Sequence, residues 1–179
     1  MHHVSGTGRA VWKGAVAGAA GGLVASWVMN QFQAALSKAS GAIGNDGSQA
    51  DGQEASEQQS NDDATMKAAD AIAKSLLDRT LTKPEKQSAG PAVHYAFGST
   101  VGAMYGAVAE LVPRTTAAWG VPFGTAVWLG ADEVAVPALG LSKAPVEYPL
   151  STHASALAAH LVYGLTTDLV RRGVRATLG

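Results

Sequence analysis

The chain has 179 residues, with 13 Lys+Arg against 14 Asp+Glu; the formal charge of −1 offers neither the basic surplus of a nucleic-acid binder nor the acidic excess of a solvating tail. Apolar residues make up 47% but aromatics only 6%, and 35 Ala with 21 Gly leave few large side chains for a water-soluble core. The absence of cysteine excludes a disulfide framework, a thiolate zinc site and a cysteine nucleophile.

Four runs lack Asp, Glu, Lys and Arg: 14–37, 87–109, 115–131 and 148–167. A helix needs about 20 mostly apolar residues to cross the hydrocarbon of a bilayer. Three runs reach that length unaided, and the third does so only by carrying Asp132 and Glu133 into the span. The expected fold is therefore all-α: an integral membrane four-helix bundle with one additional amphipathic helix in a long extracytoplasmic loop. The whole chain, 1–179, forms one membrane domain with helices at about 10–37, 90–111, 117–140 and 151–172. A soluble bundle is the competing reading, but its helices would carry charged outer faces that these runs lack. Residues 9–37 begin like a signal peptide, with Arg9 and Lys13, yet the apolar run exceeds an h-region of about 7–15 residues.

In the first helix Gly14, Gly18 and Gly22 recur at every fourth position, a spacing that lets helix backbones approach closely in lipid. The following 40–63 segment is expected to be a disordered acidic loop. From Asn45 to Asp63 it holds six acids, no base and only Ala50 and Ala55 as aliphatic residues. Residues 64–82 read as an amphipathic helix, with Met66, Ala69, Ile72, Ala73, Leu76 and Leu77 on one side and Lys67, Asp70, Lys74 and Asp78 on the other. Asp62 or Asp63 would cap its start, Pro84 follows its end, and its stripe would rest on the membrane surface or the bundle ends.

The second helix would begin at Pro91, where a missing N–H is harmless. His94 and Tyr105 share its small-residue face with Gly98, Gly102 and Gly106, and Glu110 closes the run. Gly120 and Gly124 open the third helix, Pro122 and Pro137 kink it or mark its ends, and Thr125 and Asp132 lie seven apart on one line. Pro145 and Pro149 keep the next connection extended, and Ser151 or Thr152 would cap the fourth helix. There His153 and His160 fall on one stripe with Leu157, Gly164 and Thr167.

Arg9, Lys13, Arg114, Arg171, Arg172 and Arg175 gather on one side if both termini are cytoplasmic, against Lys143 alone in the short outer turn. That asymmetry fits the positive-inside rule. Ionisable groups at bilayer depth are costly and face inward, so His94, Tyr105, Glu110, Asp132, Glu133, His153 and His160 are the candidates for a polar interior. In one reading Asp132, Glu133, His94 and His160 meet and relay or buffer protons, or pass a small polar solute. In the other these groups only fix helix packing by hydrogen bonds. Adjacent residues on an α-helix point about 100° apart, so Asp132 and Glu133 cannot share a partner. No metal site is expected, since HExxH is missing and histidines seven apart cannot chelate one ion unaided. No GxSxG, phosphate-loop or dinucleotide motif is present; neither catalysis nor a cofactor is expected. The expected partner is the lipid bilayer, not nucleic acid; the small-residue faces are read first as general helix packing, with a second copy of the chain docking through them as the alternative.

The stretch Gly90-Pro91-Ala92-Val93-His94-Tyr95-Ala96-Phe97-Gly98, with Gly102-Ala103-Met104-Tyr105-Gly106-Ala107-Val108-Ala109-Glu110, resembles the second-helix motif of the YagU-like family of uncharacterised bacterial inner-membrane proteins. Trp128-Leu129-Gly130-Ala131-Asp132-Glu133, Pro137-Ala138-Leu139-Gly140-Leu141 and His160-Leu161-Val162-Tyr163-Gly164 extend the likeness, as do Lys13-Gly14 and Trp27. The resemblance implies a multi-pass protein of the bacterial inner membrane, with unassigned activity and no catalytic residues to carry over. The acidic 45–63 insert departs from the family pattern.

Overall fold

The computed structural model describes residues 3–43 and 51–179, and side chains over 7–40 and 64–179. All regular structure among them is helical. Helix α1 spans His3–Ile43, α2 Asp51–Leu77 and α3 Lys83–Leu111. A 3-10 segment, Pro113–Gly120, leads into α4, Val121–Val127, which runs on through a π-helix, Trp128–Ala135, and α5, Val136–Ala138. A short 3-10 turn, Pro145–Glu147, precedes α6, Leu150–Thr177.

Four rods form the bundle, side by side in the order α3, α1, α6 and the α4–α5 rod. Along the first seam a methyl group on Gly14 would strike the carbonyl of Gly106, one on Gly18 that of Gly102, and one on Gly22 that of Gly98. The two glycine tracts therefore face each other in antiparallel register. Gly120 and Gly124 meet Gly164 and the carbonyl of His160 in the same way on the seam between α4 and α6. Gly21, one position off the four-residue repeat, lies against the carbonyl of Thr167 and joins α1 to α6. What larger core exists is a small cluster of Ala25, Met29, Ala159 and Tyr163, flanked by Phe32, Phe123 and Val127. Phe123 stacks on Tyr105 at 4.2 Å and ties the α4 rod to α3.

Several expected boundaries shift. No described helix is long and apolar enough to cross a membrane. Length is not the shortfall, since α1, α3 and α6 have 41, 29 and 28 residues; their glycines and inward polar groups dilute the apolar content. Of the expected 40–63 loop, 40–43 continue α1 and 51–63 belong to α2, while 44–50 lie outside the described residues. Gln, Glu and Ala in 53–59 favour helix without needing a core, a contribution that composition alone undervalues. Helix α2 therefore starts well before Asp62 and Asp63, which do not cap it, and stops at Leu77 before Asp78 turns to φ 51°. Its stripe also divides: Ala69 and Ala73 are buried, while Ile72, Leu76 and Leu77 stay exposed. Where α2 lies close to α3 the side chains of Thr65 and Met66 are set against Gly90, which leaves room for them.

Helix α3 starts at Lys83 rather than at Pro91, which lies within it; Pro84 takes the tolerated first-turn position instead. The third helix begins at Val121, not 117, because Ala118, Trp119 and Gly120 all have left-handed backbones. Pro122 sits in its first turn, as Pro favours, and Pro137 follows the π-helix. Pro149, with no side-chain cap, precedes α6, so neither Ser151 nor Thr152 caps it, and α6 extends to Thr177.

The α2–α3 elbow lies outside the uncharged runs. Lys86 pairs with Asp70 at 2.8 Å, and the amide of Leu81 donates to Asp70 Oδ1 at 2.6 Å. The Thr82 amide and hydroxyl both donate to Glu85 Oε2, at 2.8 and 2.9 Å. These bonds, amide first, followed by Arg79, hold the Glu85 carboxyl down from 4.5 to about 2. A lowered folded value means that the elbow's stabilisation is complete above about pH 4.5 and fades as pH falls towards 2. A carboxyl-detected NMR titration should place Glu85 near 2; a midpoint at 4.5 would mean that the elbow is open in solution.

Candidate functional site

The α4–α5 rod and α6 form a seam that gathers four of the seven candidate residues. Pro137 has no N–H to give, and its ring would press on the carbonyl four residues back, that of Glu133. The preceding turns are widened instead: the amide of Val136 donates to Ala131, five residues back. Wider turns reduce the angle between neighbours, which brings Asp132 and Glu133 both onto the side of α6. There His153 and His160, seven apart, offer each acid its own imidazole.

Glu133 Oε1 lies 2.6 Å from His153 Nδ1, and His153 Nε2 lies 3.0 Å from the carbonyl of Pro145. A backbone carbonyl can only accept, so Nε2 donates to Pro145. The short Nδ1···Oε1 contact then needs one proton, carried either by the imidazole as an ion pair or by the carboxyl as a neutral pair. Deeper in the seam, His160 Nδ1 donates to the carbonyl of Ala156 at 2.9 Å and has Asp132 Oδ2 at 3.6 Å. Side-chain exposures of 22% for His153, 16% for Glu133, 10% for His160 and 30% for Asp132 place the pairs inside the seam within reach of its edge. Below His160 the seam closes, with the glycine contacts Gly124–His160 and Gly120–Gly164 bringing backbone onto backbone.

The remaining candidates go elsewhere. His94 lies on α3, edge-on to Tyr95 at 5.7 Å, and belongs to neither carboxylate–histidine pair. Tyr105 and Glu110 join a second cluster, at the opposite end of α6, that the sequence reading does not anticipate. Tyr105 donates its hydroxyl to Asp168 Oδ1 at 3.0 Å. Arg171 binds that same oxygen at 2.9 Å and Arg172 binds Oδ2 at 2.7 Å, leaving the Asp168 side chain wholly buried. Arg175 grips Glu110 at 2.9 Å across to α3. The signal is present as Asp168-x-x-Arg171-Arg172-x-x-Arg175, whose three- and four-residue spacings put acid and bases on one helical face, but counting the arginines only as orienting charges hides it. Tyr163, also unanticipated, donates to the carbonyl of Gly98 at 2.6 Å and links α6 to the glycine seam.

A shallow open cleft at the α2–α3 elbow, lined by Arg79, Leu81, Pro84, Glu85, Ser88 and Ala89, lies apart from both clusters. No group of three or more His, Asp or Glu among the described residues could hold a metal ion.

A family model described as a protein of unknown function, DUF1440, matches residues 70–169, more than half of the chain, including all four residues of the first cluster and Tyr105, Glu110 and Asp168 of the second. No curated protein and no solved structure matches.

Proposed function

The chain belongs to the DUF1440 family of proteins of unknown function, and on the geometry of its own seam we propose that it is a multi-pass inner-membrane protein that takes up and releases protons at one end of its bundle. The observation that carries this reading is the 2.6 Å Glu133–His153 contact, which holds one proton between carboxyl and imidazole, with Asp132 standing 3.6 Å from His160 as a second acid beside a second imidazole. Passage of a solute is less well supported. His153 and His160 stand about 10 Å apart along α6 at 1.5 Å per residue, too far for direct transfer. The glycine contacts below His160 leave no obvious path onward. Proton buffering or sensing on the extracytoplasmic side, with both termini cytoplasmic, is the form of the proposal that the packing favours.

Membrane residence is supported by which side chains point where. Ser26, His160, Thr167, Asp168 and Arg171 are buried, whereas Leu23, Trp27, Phe97, Met104, Leu165 and Leu169 are exposed. A water-soluble bundle has the reverse arrangement, and an apolar exterior of this extent calls for a covering. Average hydropathy misses the pattern, since it weighs inward glycines and polar groups equally with the residues that lipid would touch.

A second reading, favoured by the backbone-to-backbone glycine seams, is that the buried polar groups serve packing alone. Pairing Asp132→Asn with Glu133→Gln separates the two. In proteoliposomes, a rapid external pH jump should elicit proton uptake by the unaltered protein, and the doubly substituted protein should lose most of it while keeping its helical content. Unchanged uptake with intact folding favours the packing reading.

A further inference from the structure

The cationic end of the bundle carries charges that its own acids do not satisfy. Lys13 and Arg9 near the start of α1, Arg114 after α3, and Arg171, Arg172 and Arg175 near the end of α6 converge there, because neighbouring rods are antiparallel. Against these six cations stand only two acidic side chains, Asp168 and Glu110, each already held by arginine, while Lys13 is turned onto the backbone oxygens of Leu178 and Gly179; the side chains alone leave an excess of four positive charges. Arg9 and Arg114 are exposed and have no hydrogen bond or ion pair among the described residues. The acids of the folded region, Asp70, Asp78, Glu85, Asp132, Glu133 and Glu147, lie towards the other end.

One feature of this end is costly. Trp119 adopts a left-handed backbone, φ 57°, directly after Ala118 at φ 52°. For a bulky side chain such a conformation is strained and persists only where surrounding contacts impose it. Here it lays the indole under Arg172, 4.8 Å from guanidinium to ring centre, while 55% of Trp119 stays exposed. Arg172 is fixed from behind by Asp168 and by the carbonyl of Thr116 at 3.1 Å, yet keeps 42% of its side chain open. Trp12, 70% exposed on α1, marks the same end. An amphipathic aromatic ring beside a fixed, partly open guanidinium is the arrangement suited to the level where phosphate headgroups meet hydrocarbon.

We infer that this end is a docking surface for anionic phospholipid headgroups, with Arg172 on Trp119 as its fixed centre and Arg9 and Arg114 as its electrostatic rim. The inference rests on the membrane reading and adds a lipid preference to it. Full-length protein would be reconstituted into phosphatidylcholine bilayers containing traces of spin-labelled phosphatidylglycerol or spin-labelled phosphatidylcholine, and the motionally restricted fraction of each label measured. The glycerol lipid should be restricted several-fold more than the choline lipid. Arg9→Gln and Arg114→Gln, which disturb no internal contact, should each reduce the preference by up to about fivefold, and 1 M salt should reduce it likewise. Equal restriction of the two labels, with the protein resistant to carbonate extraction, overturns the headgroup site and leaves the membrane reading standing. A protein stripped from the vesicles by carbonate overturns both. A preference that persists unchanged in both variants and in 1 M salt also overturns the electrostatic rim.

Discussion

Gly102→Leu should separate α1 from α3 and leave little folded protein. The Cα of Gly102 sits where any side chain would run into the carbonyl of Gly18 and the backbone of Gly22, and a helix backbone cannot rotate away as a side chain can. Inserting methylenes into a packed core costs about 1–3 kcal/mol where side chains absorb the strain, and more where only backbone can move. Gly130→Leu is the matched control. It also lies on a helix, but nothing lies within 4 Å of where its side chain would start, so its effect should be near zero or mildly stabilising by less than about 1 kcal/mol. Unfolding in mixed detergent, followed by helical circular dichroism, should give widely separated midpoints for the two variants. Similar midpoints would mean that the two glycine tracts do not face each other.

Asp168→Ala should be the most damaging single change outside the glycine seams. It leaves the guanidinium of Arg171, with only 8% of its side chain exposed, without a counterion, and removes the acceptor of the Tyr105 hydroxyl. Breaking a buried ion pair from one side costs about 3–5 kcal/mol, because the surviving charge stays buried and unmatched. Removing a half-exposed partner is milder: Arg172→Gln should cost no more than about 1 kcal/mol, since Asp168 keeps Arg171 and the lost guanidinium is already open at the surface. The same unfolding measurement distinguishes them, and equal small effects would show that Asp168 is solvated in solution.

Much of the bundle is readable from spacing because lattice-like rules govern it. Glycines four apart must lie on one helix face, so the tracts at 14–22 and 98–106 can be recognised as close-packing surfaces before their partners are known. What spacing cannot supply is which surface meets which. The pairing of those two tracts with each other, and of Gly120 and Gly124 with Gly164, depends on the antiparallel register of whole helices. Histidines seven apart likewise predict a shared stripe on α6, and the structure sets that stripe against Asp132 and Glu133. The turn angle that lets adjacent acids reach one helix was illegible, because it depends on a π-helix just before Pro137, and an ideal α-helix would have splayed them. Asp168 was overlooked for a different reason. It sits immediately beyond the uncharged run 148–167 among arginines that read as the helix's polar end, whereas α6 turns it inward to Tyr105 and Arg171, where it is wholly buried. The segment 51–63 misled through composition: acidity without apolar residues argues against a core, but not against a helix.

The most direct test of the whole arrangement uses the absence of cysteine, which permits single labelling sites without removing any native thiol. Spin labels at Leu23→Cys, Met104→Cys and Leu165→Cys, all outward-facing, would be compared with one at Lys67→Cys on exposed α2 in liposome-reconstituted protein. The first three should collide freely with dissolved oxygen and be shielded from a water-soluble nickel chelate, with Lys67→Cys showing the opposite. Nickel accessibility at Leu23, Met104 and Leu165 equal to that at Lys67 would contradict a bundle that turns its apolar side chains to lipid and its carboxylates and imidazoles to one another.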